Sequence, residues 1–204
     1  AAFIYLLDLN KPSKPPEVVE KSPTTEQVSE HNGYELFQRC RLVDDRGNDG
    51  DSFLVKLEDG REVKIRLYFV DAPESQFRTY RNGENNHDRI AEQATSMGGK
   101  TSLQIVNVGK DAKDWTRRTL GAASFRIYTK WDDPFGDERY HAHVEVMLDG
   151  RKQWLHRTLV ELGLARIHTK PADMPDGTPA NDELVYLKEA EKLAKRSRFG
   201  AWRP

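Results

Sequence analysis

Residues 49–74 read DGDSFLVKLEDGREVKIRLYFVDAPE, and the pattern within this stretch decides the fold class. Apolar and polar residues alternate over residues 53–57 and again over residues 63–69, a period of two that is typical of half-buried strands. Asp59-Gly60 between the two runs is the signature of a tight hairpin turn. The return strand places Arg66 on the face opposite its apolar residues, and Pro73 is expected to end that strand because proline cannot donate to a ladder.

Acidic side chains lie at both ends of this predicted hairpin. Asp49 and Asp51 precede its first strand, and Asp71 and Glu74 follow its second. Carboxylate oxygens are the ligands that a hard cation prefers, and the guanidinium of Arg66 can donate paired hydrogen bonds to a phosphate. Taken singly, each of these residues is more typical of a turn or a solvated strand. Taken together, they predict a site that cleaves phosphodiester bonds.

The bulk composition is compatible with a soluble globular protein. The chain has 204 residues, which suits one domain with an appendage, and its formal net charge is -1. Residues 1–33 contain three lysines and five acidic residues, which leaves 29 basic and 28 acidic residues in the remainder. This balance argues against strong non-specific binding to nucleic acid. The single cysteine, Cys40, excludes an intrachain disulfide, and six scattered histidines give no zinc spacing.

Residues 1–33 are predicted to be an extended tether or linker, and residues 34–204 a folded domain. The first segment carries four prolines between residues 12 and 23 among Lys, Glu, Ser and Thr, and such a composition buries too little apolar surface to offset chain entropy. Residues 1–7 are apolar but too short to span a membrane, and no stretch of about 20 apolar residues occurs. They fit either the remnant of a removed signal or anchor, or a packed terminal strand.

The remaining pattern predicts an α+β, mainly β, fold. Besides the hairpin, we expect strands over residues 36–43, 123–131, 140–148 and 164–167, and helices over residues 88–97, 101–108, 154–162 and from residue 181 or 182 to Gly200. Gly109 leaves open whether the second helix continues over residues 112–120. Asn181 or Asp182 is expected to cap the last helix. These elements fit a five-stranded, partly open barrel of the OB type with about three helices.

Several short motifs follow one another in a fixed order. They are DGDS at 49–52, IRL at 65–67, VDAPE at 70–74, RYHA at 139–142, LVELGLA at 159–165, Ala190-Glu191 with Ala194-Lys195, and Gly200-Ala201-Trp202. Any one of them alone is common. In this order and with these separations, they resemble the staphylococcal nuclease (thermonuclease) family over roughly residues 34–202.

The resemblance implies an OB-type barrel and calcium-dependent endonucleolytic cleavage of DNA and RNA with little sugar specificity. It implies Ca²⁺ as the cofactor, with Asp51 and Asp71 as ligands, Ala72 offering its backbone carbonyl and Asp49 supporting the site. It implies that the catalytic positions are Arg66, Glu74 and Arg139. The expected partner is a DNA or RNA substrate, preferably single-stranded, and the expected location is outside the cytoplasm, secreted or tethered upstream. We expect a monomer.

The residue types agree with that implication. A bound cation polarises a phosphate and lowers the pKa of a nearby water, and Glu74 is placed to orient or deprotonate that water. Phosphodiester attack concentrates negative charge on the phosphate oxygens. The two guanidiniums of Arg66 and Arg139 can donate paired hydrogen bonds to those oxygens, a geometry that lysine does not reproduce.

Three departures from the family pattern fall around the expected substrate contacts. Asp137-Glu138 stands directly before Arg139, where the family commonly has glycine. Pro134-Phe135 replaces a Lys-Tyr pair, which removes one phosphate contact and keeps an aromatic ring. His168-Thr169 lies where the best-known member has tyrosines that contact nucleotide. The base contacts expected from the resemblance are therefore altered.

A second interpretation is a catalytically weak or inactive OB-type module that binds nucleic acid or protein. The near-neutral charge leaves this alternative open. His141 and His143 share a strand face without a visible third ligand, so we expect solvated strand histidines there and not a metal site. The four tryptophans are expected to be core or barrel-edge residues: Trp115, Trp131, Trp154 and Trp202.

Overall fold

The computed structural model describes residues 31–204, which contain eight strands and four α-helices. The strands are β1 (Glu35–Leu42), β2 (Ser52–Lys56), β3 (Glu62–Leu67), β4 (Val70–Asp71), β5 (Phe125–Thr129), β6 (Arg139–Leu148), β7 (Arg151–Trp154) and β8 (Arg166–Ile167). The helices are α1 (His87–Ser96), α2 (Ser102–Ala122), α3 (Leu155–Glu161) and α4 (Ala180–Ser197), followed by a 3-10 helix (Gly200–Trp202). The apolar start and nearly all of the predicted tether lie outside the described residues.

Strands β1, β2, β3, β5 and β6 form a closed barrel. Their order is β3-β2-β1-β5-β6, and a parallel pairing of β3 with β6 closes it, with Ile65 opposite Tyr140. The β2–β3 hairpin turns at Asp59-Gly60 as predicted and sets Ser52 opposite Arg66. The prediction of an OB-type barrel is confirmed. Strand β7, which the sequence pattern did not predict, pairs with the far end of β6 and leads directly into α3.

Two groups of buried side chains hold these elements together. The larger fills the barrel with alternating residues of the strands and the inner faces of α3 and α4, including Phe53, Ile65, Ile127 and Val144. The smaller lies between α1, α2 and the 3-10 helix, where Trp202 packs back against it as predicted. The other three tryptophans also pack against buried residues, so their assignment to the core or its edge is confirmed. No helix among residues 31–204 is long and apolar enough to cross a bilayer.

The strand that leads into the acidic segment is interrupted at Tyr68-Phe69. The alternation predicts one strand running to Val70, but β3 ends at Leu67 and Phe69 has a φ of +69°. This conformation is unusual for a bulky residue, and non-glycine residues held there often cluster at functional sites. Tyr68 and Phe69 are both fully buried, so the surrounding core holds the bend in place. The bend starts β4, which pairs with β8 in place of the barrel strands.

Helix α2 is one continuous helix through Gly109, which settles the alternative left open by the sequence. It begins with a capping box in which Thr101 and Gln104 exchange side-chain and backbone hydrogen bonds. Gly109 packs against the loop after β4: a Cβ added there would lie 2.5 Å from the carbonyl oxygen of Pro73 and closer still to that of Glu74. This glycine therefore marks close contact between helix and loop, and not a helix end.

Replacing Gly109 by alanine is expected to lower the free energy of unfolding by roughly 1–3 kcal/mol and to displace the Pro73-Glu74 loop, because the methyl group has no room. Gly121 is the matched control. It lies in the same helix with nothing within 4 Å of an added Cβ, so alanine there should stabilise by about 0.5–1 kcal/mol. Thermal or urea unfolding of the two variants measures the contrast. Equal effects of the two substitutions would contradict the packing of α2 on the loop.

Three further expectations are wrong. Helix α4 begins at Ala180 after Pro179, and the prediction of a cap by Asn181 or Asp182 fails because Asp173 accepts the Ala180 N–H at 2.9 Å. The same helix ends at Ser197, where Arg198 takes a left-handed φ of 57°, and so stops before Gly200. The third concerns His141 and His143, which are 1% and 0% exposed and so are not solvated.

Candidate active site

Asp71, on β4, lies fully buried at the centre of the site. Its Oδ1 accepts hydrogen bonds from Nη2 of Arg66 at 3.2 Å and Nη2 of Arg89 at 2.5 Å. Its Oδ2 accepts from Nε2 of Gln93 and Nε of Arg166, both at 3.0 Å. A carboxylate offers about four acceptor positions, so every one of them is filled. Burial by itself would raise the pKa of Asp71, but the charge of Arg89 and the other donors outweigh it and hold that pKa below its ordinary value.

The four donors come from three elements that meet at this carboxylate. Arg66 projects from β3, and Arg166 lies directly opposite Asp71 in the β4–β8 pair. Arg89 and Gln93 are four residues apart on α1 and so lie on one face of that helix. The amide of Gln93 also donates to the Ala72 carbonyl at 3.3 Å. The bend before β4 and the packing of α1 therefore decide where Asp71 points.

Asp51 lies beside this cluster, immediately before β2, and is 6% exposed. Its Oδ2 is 3.7 Å from Nη2 of Arg66, too far for a hydrogen bond, and has no hydrogen-bond partner among the described residues. Burial, followed by the negative charge of Asp71, raises the pKa of Asp51 to about 7. Asp49 is similar: burial, followed by the charge of Glu74, raises its pKa to about 6. Two acidic groups here thus lack full compensation by positive charge.

The raised pKa of Asp51 predicts how stability depends on pH in the presence of a chelator. Because the folded-state pKa of about 7 exceeds the ordinary value of about 3.9, the favourable contribution is complete below about pH 4 and is lost as pH rises through 7. Asp51→Asn should therefore melt at a higher temperature than wild type at pH 8, and the difference should vanish towards pH 4. Melting curves across this range test it. A variant that is less stable than wild type at pH 8 would contradict the assignment.

Glu74 follows Pro73 on the loop after β4. Its contacts are with α1 and with Asn86, the residue that precedes α1. Its Oε1 accepts from Nε of Arg89 at 2.9 Å, and its Oε2 accepts from Nδ2 of Asn86 at 3.0 Å. Its backbone N–H donates to Gln93 at 3.0 Å. The loop after β4 is therefore attached to α1 both by its backbone and by the carboxylate of Glu74.

Arg139 is the first residue of β6 and lies on the same side of the barrel as Arg66. In the parallel β3–β6 pair, Arg139 is opposite Lys64 and Arg66 is opposite His141. The Arg139 guanidinium forms an ion pair with Asp137 in the preceding loop. Both arginines line a cleft of about 420 Å³. The other lining residues are Arg89, Phe135, Asp137, His141, His168, Thr169 and Lys170.

The charge of this cleft suits an anionic ligand. Three arginines and one lysine line it against a single carboxylate, so an anion entering it meets an excess of positive charge. Phe135 at the same cleft is 70% exposed and can offer a ring face to a base. A negatively charged, partly aromatic ligand fits this lining better than an apolar one.

The two strand histidines, His141 and His143, are both buried. His143 Nε2 lies 3.2 Å from the Tyr34 hydroxyl and 3.2 Å from the Asp173 carbonyl. His141 lines the cleft, and neither of its ring nitrogens has a partner among the described residues. Burial lowers the pKa of both rings. The prediction that they are solvated is wrong because β6 turns this face towards the aromatic side chains of Tyr34 and Tyr68.

The sequence pattern did not predict four polar residues that bind the carboxylates of Asp71 and Glu74: Asn86, Arg89, Gln93 and Arg166. The spacing of Arg89 and Gln93 on a predicted helix signals a shared face, but not its direction. Arg166 meets Asp71 only because β8 pairs with β4 across 95 residues of sequence. No local sequence pattern predicts the pairing of β4 with β8.

Comparison of the sequence with profiles of known protein families assigns this chain to a family. The profile of the family described as staphylococcal nuclease homologue matches residues 64–204, well over half of the chain. The chain belongs to the staphylococcal nuclease homologue family. The match includes Arg66, Asp71, Glu74 and Arg139, whereas Asp51 lies ahead of it. A search against curated proteins gives no match.

Membership of the staphylococcal nuclease homologue family indicates a nuclease-like domain or an OB-type nucleic-acid-binding module. The positively charged cleft lies beside the acidic cluster, which consists of Asp49, Asp51, Asp71 and Glu74. This cleft agrees with both functions, because a nuclease and a nucleic-acid-binding module each require a surface that accepts phosphate.

The donors around Asp51 fit a hard cation in their chemistry. Among residues 31–204, no three His, Cys, Asp or Glu side chains form a ready metal-binding group. The residues that would hold it are Asp51 and Asp71, through their carboxylates, and Ala72, through its carbonyl, and Ca²⁺ commonly completes such a set with water. Asp71 and Ala72 already accept hydrogen bonds from protein side chains, so a cation would have to displace a donor there. Oδ2 of Asp51 is buried without a hydrogen-bond donor, which is the state expected of an atom whose partner is a cation.

Proposed function

We propose that this chain is a calcium-dependent endonuclease that hydrolyses phosphodiester bonds of DNA or RNA with little sugar specificity and prefers single strands. The observation that carries the proposal is the position of Arg66. Its guanidinium lines the positive cleft while it lies 3.2 Å from Asp71 and 3.7 Å from Asp51. A phosphate in the cleft is thereby placed next to the acidic cluster.

Calcium is proposed to bind Asp51, Asp71 and the Ala72 carbonyl, with Asp49 as an acidic neighbour. When bound there, the ion would supply positive charge that polarises a phosphate. The raised pKa values of Asp49 and Asp51 support this assignment, because a divalent charge would offset the burial and the mutual repulsion that disfavour the charged carboxylates.

Arg66 and Arg139 are proposed to bind the phosphate oxygens on which charge develops. Both line the cleft from adjacent, parallel strands, so their guanidiniums can approach one phosphate from two directions. Donors fixed in this way stabilise the transition state more than the substrate when they match its charge. Arg139 must leave its ion pair with Asp137 to do so, and both side chains of that pair are about one-third exposed.

Glu74 is proposed to orient or deprotonate the attacking water. It lies on the loop that follows Asp71 and β4, and its side chain is 18% exposed. A carboxylate at this place accepts the proton of a water that attacks the phosphate. The hydrogen bond from Asn86 fixes one of its oxygens and leaves the other dependent on Arg89.

The proposed preference for single strands is supported by an exposed aromatic ring at the cleft. The phosphate cleft adjoins the exposed ring of Phe135, on which an unstacked base can lie. In a duplex the bases are paired and stacked, so this contact is not available without opening the strands. The near-neutral charge of the domain also limits the number of phosphate contacts.

The second candidate is a binding module of the same fold with weak or no catalysis. It is favoured by the hydrogen bonding of the acidic groups: all four acceptor positions of Asp71 and both oxygens of Glu74 are engaged by protein side chains. Such engagement is what a purely structural cluster would show. The two candidates differ in whether a cation can displace one of these donors.

Digestion of single-stranded DNA and RNA, with calcium and with EDTA, separates the two candidates. The nuclease proposal expects cleavage that stops on chelation, with slower cleavage of duplex DNA. Binding of the same oligonucleotide is measured in parallel by fluorescence anisotropy. Binding without cleavage in calcium would support the binding module, and cleavage unaffected by EDTA would refute the proposed cofactor.

A further inference from the structure

Arg89 is the most exposed of the four donors that surround Asp71. Its side chain is 40% exposed, compared with 10% for Arg66 and 6% for Arg166, and Gln93 is fully buried. It bridges two carboxylates, with Nη2 on Asp71 at 2.5 Å and Nε on Glu74 at 2.9 Å. It also lines the positive cleft. This one guanidinium thus borders both the acidic cluster and the space for a phosphate.

The other three donors are fixed by further contacts. Arg166 is bound to Glu92 at 2.7 Å and to Ser96 at 2.9 Å. Gln93 holds the Ala72 carbonyl and the Glu74 N–H as well as Asp71. Arg66 is held near Asp51 at 3.7 Å on a paired strand. Among the described residues, Arg89 contacts only the two carboxylates through its guanidinium, so it is the donor that can leave.

We propose that Arg89 is a phosphate-binding residue that exchanges partners during the reaction. In the free protein it neutralises Asp71 and Glu74, and when a divalent cation binds Asp71 it turns to the phosphate in the adjoining cleft. The inference rests on the proposed function, and it adds a third arginine to the substrate contacts. Departure of this one side chain frees an acceptor position on Oδ1 of Asp71, which Arg66 also contacts, and an oxygen of Glu74 at the same time.

This exchange couples the cation to the nucleic acid. Arg89 and the cation compete for Oδ1 of Asp71, so the cation binds more weakly while the guanidinium is in place. A phosphate in the cleft gives the displaced guanidinium a new partner and removes the competition. Each ligand should therefore raise the affinity for the other by the same factor, as linkage requires. Removing Arg89 should abolish most of that mutual effect.

The test is calcium titration by calorimetry of wild type and Arg89→Gln, with and without a short phosphorothioate oligothymidylate that resists cleavage. Without the oligonucleotide, Arg89→Gln should bind calcium about tenfold more tightly, since a competing charge-assisted bond is lost. With the oligonucleotide, wild type should gain affinity for calcium and Arg89→Gln should gain little. Arg89→Lys keeps the charge but cannot bridge both carboxylates, so it should fall between them.

Arg81→Gln is the matched control. Arg81 lies in the exposed loop before α1 and makes no ion pair among the described residues, so its loss should leave both titrations unchanged. In cleavage assays, Arg89→Gln should raise KM for single-stranded DNA more than it lowers kcat, and Arg89→Lys should restore KM in part. A merely structural role would instead lower the melting temperature and leave the calcium affinity unchanged or weaker.

The outcomes separate this inference from the proposed function. Unchanged or weaker calcium binding by Arg89→Gln, or no calcium binding by either protein, overturns the exchange even if wild type cleaves DNA. Tighter calcium binding by the variant in a protein that does not cleave supports the competition at Asp71 and refutes the nuclease proposal. Equal gains from the oligonucleotide in wild type and variant overturn the role of Arg89 at the phosphate.

Discussion

Replacing Arg66 by alanine is expected to reduce kcat/KM for single-stranded DNA by about a hundredfold to a thousandfold, which corresponds to roughly 3–4 kcal/mol of transition-state stabilisation. Arg66 is the arginine that lies between the cleft and the acidic cluster, in contact with Asp71 and near Asp51. Its loss removes a fixed donor to the phosphate. It also leaves the two buried aspartates with less positive charge between them.

Arg66→Lys tests whether charge alone is sufficient. Lysine keeps the charge but loses the planar, paired donors, so it should recover only a small part of the activity. Arg41, an exposed arginine on β1, provides the matched control, and Arg41→Ala should leave kcat/KM unchanged. Full activity of Arg66→Lys would show that the guanidinium geometry is not used. Full activity of Arg66→Ala would remove Arg66 from the site.

Asp71→Asn is expected to give the largest loss of stability, about 3–5 kcal/mol in the free energy of unfolding, together with loss of cleavage. The carboxylate is fully buried and accepts from three guanidiniums, of which Arg166 and Arg66 are themselves almost buried. An amide cannot accept at all four positions and brings its own N–H groups towards these cations. The cost arises because buried positive charges lose their partner.

Urea unfolding with and without the substitution measures that cost. Asp59→Asn is the control, because Asp59 forms its ion pair with Arg61 on the exposed hairpin turn and its loss should barely change the midpoint. The pKa of Asp71 is held low, so its contribution to stability is present above the ordinary pKa of about 3.9 and is lost as pH falls below it. The difference between wild type and Asp71→Asn should shrink accordingly in acid. A constant difference from pH 3 to pH 8 would contradict the charged pairing.

Local pattern predicted the barrel and the meeting of its acidic ends. The alternation on either side of Asp59-Gly60 gives two antiparallel strands, and a hairpin necessarily returns the residues after β3 to those before β2. Asp51, Arg66 and Asp71 therefore had to lie near one another, as they do. Arg139 was placed by its motif, and the parallel pairing of β6 with β3 brings it to the same cleft.

What the sequence did not predict depends on packing between distant segments. Arg166 reaches Asp71 through a two-residue pairing that has no length to produce a pattern. The left-handed Phe69 breaks an otherwise regular alternation, because the core fixes a conformation that local preference disfavours. Gly109 leaves the length of α2 open in the sequence, whereas the structure shows that it is a site of close contact with the loop after β4. The burial of the histidines on β6 is not predictable in this way, because alternation does not reveal which face of a strand a closed barrel buries.

Glu74 and a bound cation are proposed to act together in hydrolysis, and the cleavage rate of Glu74→Gln in calcium tests this most directly. Single-turnover cleavage of a labelled single-stranded oligonucleotide is compared with that of wild type, with affinity measured on the same samples. We predict a rate reduced by about a hundredfold or more, with affinity changed only slightly, because glutamine keeps the shape and loses the base. Cleavage by Glu74→Gln at the wild-type rate would contradict the role proposed for Glu74 in hydrolysis.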